Sequence, residues 1–358
     1  MAKLDTLFKM LIKENGSDLH LEQGQKPRLR RHGELKAIEN EDILSQERIL
    51  DYMREIAEDR NWNHFEQKGD LDFAYALGED ARFRANYFRH YHGYGAIFRL
   101  IPSKILTVEE LDLPDIIKDF AHYRSGLVLI TGPTGSGKST TLAAVIDHIN
   151  DIKYKKIITI EEPVEFIHNN KSSIISHREV GADTQSFTSG LRGAIKSDAN
   201  IILVGEMRDQ ETIALALKAA EMGILVFGTL HTNSAAKTID RIIDVFPANQ
   251  KNQIRTVLAN TLKGVVSQTL LKSPDGNRRW VAYEILLWTQ ALGAIINTGE
   301  TNKLTSEIQM NGPLGMILLD DCLLQLVRDG KVDKEQAFMK AFDKDNFIKH
   351  IQEMESQQ

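Results

Sequence analysis

Leu4, Leu7, Phe8, Leu11 and Ile12 fall at i, i+3, i+4, i+7 and i+8. That spacing predicts a helix with one apolar face at the start of the chain. The period then shortens. DLHLEQ (18–23) and RLRRHGELKAI (28–38) nearly alternate apolar with polar residues, and a polar helix is expected around 46–60. DLDFAYAL, ARFRANYF and GAIFRLI, between 70 and 101, read as antiparallel strands separated by glycine and charged turns. Pro102 and the stretch SKILTVEELDLP make a linker expected over 103–114.

Beyond residue 115 the pattern changes. The apolar runs GLVLI, KIITI, NIILVG and ILVFGTL alternate with helical patterns. Unbroken apolar strands interleaved with helices predict a parallel sheet covered on both faces. A further helix is expected over 250–272, where Ile254, Val257, Leu258, Leu262, Val265, Val266 and Leu270 keep helical spacing. Residues 287–350 read as all-helical, with DDCLLQLVRDG closing on a glycine stop.

Composition narrows the class. A chain of 358 residues is long enough for about two to three domains with a sizeable core. A net charge of −6 argues against a general nucleic-acid binder. One cysteine, Cys322, excludes an internal disulfide and a cysteine-based zinc site. The first residues lack both an unbroken apolar core and a small-residue cleavage site, so they are not read as a signal peptide. No apolar run approaches the roughly 20 residues needed to span a bilayer. A cytosolic protein is expected.

GPTGSGKST fits the phosphate-loop pattern Gly-x-x-x-x-Gly-Lys-Ser/Thr, after the strand LVLI and before a helix with Leu142, Val145, Ile146 and Ile149 on one face. Gly132, Pro133, Thr134, Gly135, Ser136, Gly137, Lys138, Ser139 and Thr140 are therefore the expected nucleotide-binding residues. Glycines let backbone N–H groups turn toward phosphate oxygens, and the helix start adds a favourable dipole. Lys138 is placed to reach the β- and γ-phosphates and Ser139 to hold Mg²⁺.

Phosphate chemistry also needs carboxylates near the metal and the attacking water. The C-terminal ends of parallel strands supply ligand contacts. NIILVGEMRD delivers Glu206, with Gly205 where a metal-binding aspartate commonly falls. Glu206 can hold Mg²⁺ through water, position the attacking water, or simply start the helix DQETIALALKAAEMG. KIITI leads into TIEEPVEF, with Glu161, Glu162 and Glu165 as metal-shell groups and general base, and Pro163 ending the strand. ILVFGTLHTN brings in His231 as either a sensor of the γ-phosphate or a structural histidine.

GPTGSGKSTTLAAVID, TIEEPVEF, ILVGEMRD and GTLHTNSAAKTIDRIIDVFP together resemble the type IV pilus retraction ATPase family, within the hexameric secretion ATPases. The likeness extends to GSDLHL and to ARFRANYF…GAIFRLIPSKI near the N-terminus. It implies an α/β chain: an N-terminal PAS-like α+β domain (1–102), the linker (103–114), a RecA-like P-loop ATPase core (115–286) and a helical C-terminal region (287–358). It implies ATP and Mg²⁺ as cofactors. Lys138 and Ser139 become the Walker A pair, and Glu206 part of an atypical Walker B motif. Glu161, Glu162, Glu206 and Ser139 fall around the metal, Glu165 in the catalytic-glutamate position and His231 in the histidine box. Arg82, Arg84 and Arg99 are the arginines implied to approach the γ-phosphate. The partners implied are five further copies in a homohexamer, the inner-membrane platform protein of the pilus and related pilus ATPases, with peripheral attachment at the pilus base and no nucleic acid.

Three positions depart from the family pattern. Glu162 replaces an aspartate, Asp240 stands where a second histidine is common, and ALGAII (291–296) lacks the arginine and asparagine of the family's Ala-Ile-Arg-Asn-Leu-Ile. The last keeps an accessory or specialised pilus role open beside retraction. Two other classes share the phosphate loop, a nucleic-acid translocase and a small-molecule phosphotransferase. The first lacks an aromatic-studded basic groove here, and the second a recognisable lid and acceptor pocket.

Overall fold

The computed structural model describes residues 3–31, 33–78, 81–101 and 104–356. Pro102 and Ser103, at the head of the expected linker, lie outside the described residues. The chain is α/β and forms two compact units, one made of residues up to 104 together with 162–167, the other of 105–161 and 168–358.

In the first unit, α1 (Leu4–Lys13), α2 (Gln46–Ile56) and α3 (Asp59–Lys68) accompany six strands: β1 (Asp18–Glu22), β2 (Arg28–Arg31), β3 (Glu34–Ala37), β4 (Asp70–Leu77), β5 (Ala81–His90) and β6 (Gly93–Ile101). The sheet is antiparallel in the order β3-β2-β1-β6-β5-β4. Alternation along its strands assigns the faces. Leu19, Leu21, Leu29, Phe83, Ala85, Tyr87, Ala96 and Phe98 turn inward and join Leu7, Phe8, Ile49, Met53 and Phe65 of the helices. Phe8 stacks on Phe83 at 4.1 Å between centroids and meets Phe98 edge-on at 5.0 Å. The opposite face carries the polar residues of the same strands.

Two expectations need correction here. RLRRHGELKAI is a hairpin, not one strand: β2 and β3 pair with Arg30 opposite Leu35 and turn near Gly33, whose φ of +88° suits glycine. The helix expected over 46–60 is two helices. Ser45 caps α2 by accepting from the Arg48 amide, Ala57 is extended, and α3 runs on to Gly69 in the left-handed conformation. α3 escaped notice because it contributes one fully buried side chain, Phe65.

The second unit opens with the short α4 (Ile116–Asp119). It then alternates β7 (Gly126–Thr131), α5 (Lys138–Ile152), β8 (Lys156–Glu161), β9 (Ile174–Glu179), α6 (Phe187–Lys196), β10 (Ile201–Val204), α7 (Gln210–Glu221), β11 (Leu225–Leu230), α8 (Ala235–Asp244) and α9 (Ala248–Thr261). β12 (Leu262–Lys272) and β13 (Arg279–Leu287) follow, and α10 (Gln290–Thr298), α11 (Leu304–Met310), α12 (Leu319–Arg328), α13 (Lys334–Lys340) and α14 (Lys344–Ser356) complete the chain. The sheet order is β13-β12-β7-β11-β10-β8-β9, parallel except for the antiparallel edge strand β13. Every residue of β7, β10 and β11 is buried. Val108 and Leu113, inside the stretch expected as a linker, belong to this core.

The helix expected over 250–272 is overturned. α9 stops at Thr261 and the chain continues as β12, parallel to β7 and antiparallel to β13. LKGVVSQTLLK is buried along nearly its whole length, so its apolar and polar residues do not alternate with exposure and carry no period of two to mark a strand. Gly264 is the local clue: a Cβ there would stand 3.0 Å from the Phe120 ring, so strand and ring approach too closely for a side chain. β9 and β13 were likewise not expected. The second begins eight residues before the all-helical region, and the first, IISHRE, is only partly buried.

Candidate active site

The phosphate loop connects β7 to α5 as its sequence requires. Gly132 has φ +143°, and a Cβ there would lie 2.2 Å from the Gln268 carbonyl oxygen and 2.5 Å from Ser136 Oγ. Gly135 and Gly137 are left-handed at +78° and +89°. Gly137 is the N-cap of α5, and no side chain caps the helix. Backbone N–H groups at the head of a helix that no N-cap side chain covers point toward anionic oxygens. Lys138 Nζ donates to the carbonyls of Gly132 at 2.9 Å and Pro133 at 3.1 Å, which holds the ammonium over the loop. Ser139 and Thr140 are half-buried in the first turn, and Pro133, Thr134 and Gly135 are exposed.

Below the loop stands Gln268 of β12, which sequence reasoning missed because its strand was taken for helix. It is 2 % exposed, and its Nε2 donates to the Ser136 carbonyl at 2.8 Å. Ser136 Oγ and Gln268 Oε1 are both buried without a hydrogen-bond partner.

Three strands deliver the other groups. β8 stops at the half-buried Glu161, two residues before Pro163. A Cβ on Gly205 would lie 3.2 Å from the Glu161 Cα, which explains why glycine stands where an aspartate was expected. Glu206 follows β10, its carboxylate side chain 17 % exposed. Arg208 Nε lies 2.5 Å and His231 Nε2 3.1 Å from Glu206 Oε1. Burial pushes the Glu206 carboxyl up, but Arg208 and His231 outweigh it and hold it below its ordinary value. α7 is capped by Asp209, which accepts from Thr212 N at 2.8 Å, so starting that helix does not account for Glu206. Among the described residues no group of three His, Cys, Asp or Glu side chains could hold a metal by itself. Mg²⁺ characteristically takes few protein ligands and completes its shell with water and phosphate oxygens. Ser139 with Glu206 fits that requirement.

Glu162 and Glu165 fall in the first unit, where 162–167 joins the N-terminal residues. Glu165 is half-buried and Glu162 exposed. Arg82 Nη2 donates to the Val164 carbonyl at 3.2 Å, fixing the backbone between the two glutamates. Register puts Arg82, Arg84 and Arg99 on the polar face of the sheet, with Arg84 directly opposite Arg99 and Asp18 opposite both Arg99 and Arg30. Asp18 takes Arg99 at 2.9 Å and Arg30 at 3.7 Å, while Arg84 lies 3.7 Å from Asp72. Arg30, not anticipated from sequence, thus belongs to the same cationic cluster. Asp240, in the place of a second histidine, accepts from the Thr301 hydroxyl at 3.2 Å.

With this geometry in hand, the likeness to known proteins has a physical basis. Residues 2–311 match the family described as "Type II/IV secretion system protein". The chain belongs to that family. Relatives include the type IV pilus retraction ATPase PilT of Pseudomonas aeruginosa, 48% identical over 341 residues that cover 95% of this chain and 98% of that one. A twitching motility protein of Neisseria gonorrhoeae is 45% identical over 315 residues, 88% of this chain and 84% of that one. Among solved structures, the pilus retraction motor PilT with bound ADP superposes with a TM-score of 0.88 at 39% identity, covering 97% of this chain and 98% of that one.

Proposed function

We propose that this chain is an ATP-hydrolysing motor that powers type IV pilus retraction. The observation that carries the reading is the near-complete structural match to an ADP-bound retraction motor, combined with a phosphate loop whose N–H groups and lysine are arranged for a nucleotide. ATP binds with its phosphates over Gly132–Thr140. Ser139 and, through water, Glu206 would hold Mg²⁺, which would supply neutralisation of phosphate charge. Glu165 orients or deprotonates the attacking water, and His231, bonded to Glu206, faces the terminal phosphate and reports its presence. Arg82, Arg84 and Arg99 oppose the charge that develops on phosphoryl transfer, a contribution worth ~10³–10⁵ in rate where an arginine finger has been measured.

The working assembly is a homohexamer of PAS-like and RecA-like domains, docked peripherally on the inner-membrane platform protein at the pilus base. No helix of the described residues is long and apolar enough to cross a membrane, so attachment would run through that partner. The deciding experiment is ATP turnover per chain against protein concentration. A steep rise to a plateau supports sites completed between subunits. Constant turnover down to concentrations where the protein is monomeric would overturn the ring motor.

A further inference from the structure

A row of three buried polar side chains crosses three neighbouring strands of the second unit's sheet. Thr131 of β7 is the register partner of Ser267 in β12, and Ser267 is that of Glu284 in β13. The three are 0 %, 2 % and 5 % exposed. Burying a carboxylate at that depth costs several kcal/mol unless it is fully partnered, and an apolar residue would serve the core better. The row must therefore hold something.

What it holds is the first turn of α8. Thr131 Oγ1 and Ser267 Oγ are 2.7 Å apart, and Thr238 Oγ1 lies 3.4 Å from Thr131 Oγ1. Thr238 Oγ1 also contacts Thr232 Oγ1 and the Ser234 carbonyl, both at 2.7 Å. Ser234 caps the helix by accepting from Lys237 N, which leaves the Ala235 N–H without a helical partner, and Glu284 Oε1 accepts it at 2.7 Å. Next to it on β13, the Tyr283 amide donates to Cys322 Sγ of α12 at 3.5 Å, and the Leu319 amide at the start of α12 draws the Glu284 carboxyl down against the burial that raises it. His231 sits inside this arrangement, one residue after Leu230, which pairs with Thr131 in the sheet, and four before Ala235. Its segment is thus tied at one end to the strand that carries the phosphate loop and at the other to Glu284.

We propose that Glu284, on the buried row Thr131–Ser267–Glu284, is a positioning residue that sets His231 and pins its helix to the C-terminal helices through α12. A displacement of α12 would then reach the histidine without passing through the phosphate loop. The inference rests on the proposed role of His231.

Glu284→Gln tests it in the full-length protein. The amide has no charge and presents its own donors toward the Ala235 N–H and the start of α12, so the hold on these helix starts weakens. Amide hydrogen exchange should rise about tenfold in the segment 231–238, in 319–322, or in both. ATP turnover should fall by a similar factor with ADP affinity unchanged. In a His231→Ala background the same substitution should lower turnover no further. Unchanged exchange in both segments, or losses that multiply with His231→Ala, would overturn the proposal. If His231→Ala alone left turnover intact, the histidine's proposed role would fail, while exchange would still decide whether Glu284 holds the two helices. Should Glu284→Gln not fold, Glu284→Asp keeps the charge, draws the carboxylate back from the Ala235 N–H and predicts an exchange increase in 231–238, whereas unchanged exchange would overturn the proposal.

Discussion

The His231 imidazole lies 3.1 Å from a Glu206 carboxylate that is also bound by Arg208 at 2.5 Å. One acid from the end of β10 thus fixes one base from the end of β11. Arg208 and His231 outweigh burial and keep Glu206 ionised to lower pH than an ordinary glutamate. A depressed carboxyl contributes stability that is present above its unfolded value and is lost as pH falls through the folded one. Activity that needs the Glu206 carboxylate should therefore survive mild acid. Glu206→Gln should retain ATP binding and lose turnover by about 10²-fold or more, the scale of a positioned catalytic carboxylate. Steady-state hydrolysis with an equilibrium nucleotide titration checks it, and near-normal turnover would remove Glu206 from the chemistry.

Gln268 supports the phosphate loop from below, and Gln268→Leu keeps its bulk while deleting the N–H to the Ser136 carbonyl. An orphaned buried acceptor costs about 1–3 kcal/mol. Because that cost falls on the loop itself, ADP affinity should weaken by roughly tenfold, with little change in the rest of the fold. Calorimetric titration with ADP reads this directly. An affinity equal to the parent's would show that the loop holds its shape without the clamp.

The sequence made some of this plain and hid the rest, for reasons that lie in particular residues. Gly132, Gly137 and Lys138 were legible because backbone angles and phosphate contact dictate residue type at fixed spacing. Glu206 and His231 were legible because each follows a fully buried strand. Gln268, Ser267 and Glu284 were not: they lie on β12 and β13, and the buried β12 was read as a continuation of α9. Their importance comes from cross-strand register, which one strand's own sequence does not record. The arginine cluster was half legible. Arg84 and Arg99 show alternation along their strands, but that Arg30 shares Asp18 with Arg99 emerges only once β2, β1 and β6 are side by side.

Glu165 is set apart from its neighbours by environment. It is half-buried where Glu162 is exposed, and the backbone between them is held by Arg82. Glu165→Gln should bind ATP with parental affinity and hydrolyse it at least about 10²-fold more slowly. Arg82→Ala should lower turnover as well, since it removes both a cation and the bond to Val164. Single-turnover measurements separate the two effects. Unimpaired hydrolysis by Glu165→Gln would move the general base to Glu206 or Glu161.

His168 makes the acid side of the stability profile predictable. Its ring is buried, stacked at 5.7 Å on His177, with Asp147 at 3.7 Å and its backbone N–H donated to His177 Nε2 at 3.1 Å. Burial, then the neighbouring His177, and more weakly the Lys171 ammonium, push its pKa down to about 4, and Asp147 offsets only part of this. In the unfolded chain the imidazole titrates near 6.5. Between those values the unfolded state binds the extra proton, so stability falls as pH drops from about 6.5 toward about 4 and levels off below. One proton contributes a slope of at most about 1.4 kcal/mol per pH unit. His168→Leu removes the titrating group while leaving the backbone N–H to His177. Urea unfolding across this range should therefore show a shallower loss of stability in the variant than in the parent. Parallel curves would mean that other buried groups, not His168, govern the acid limb.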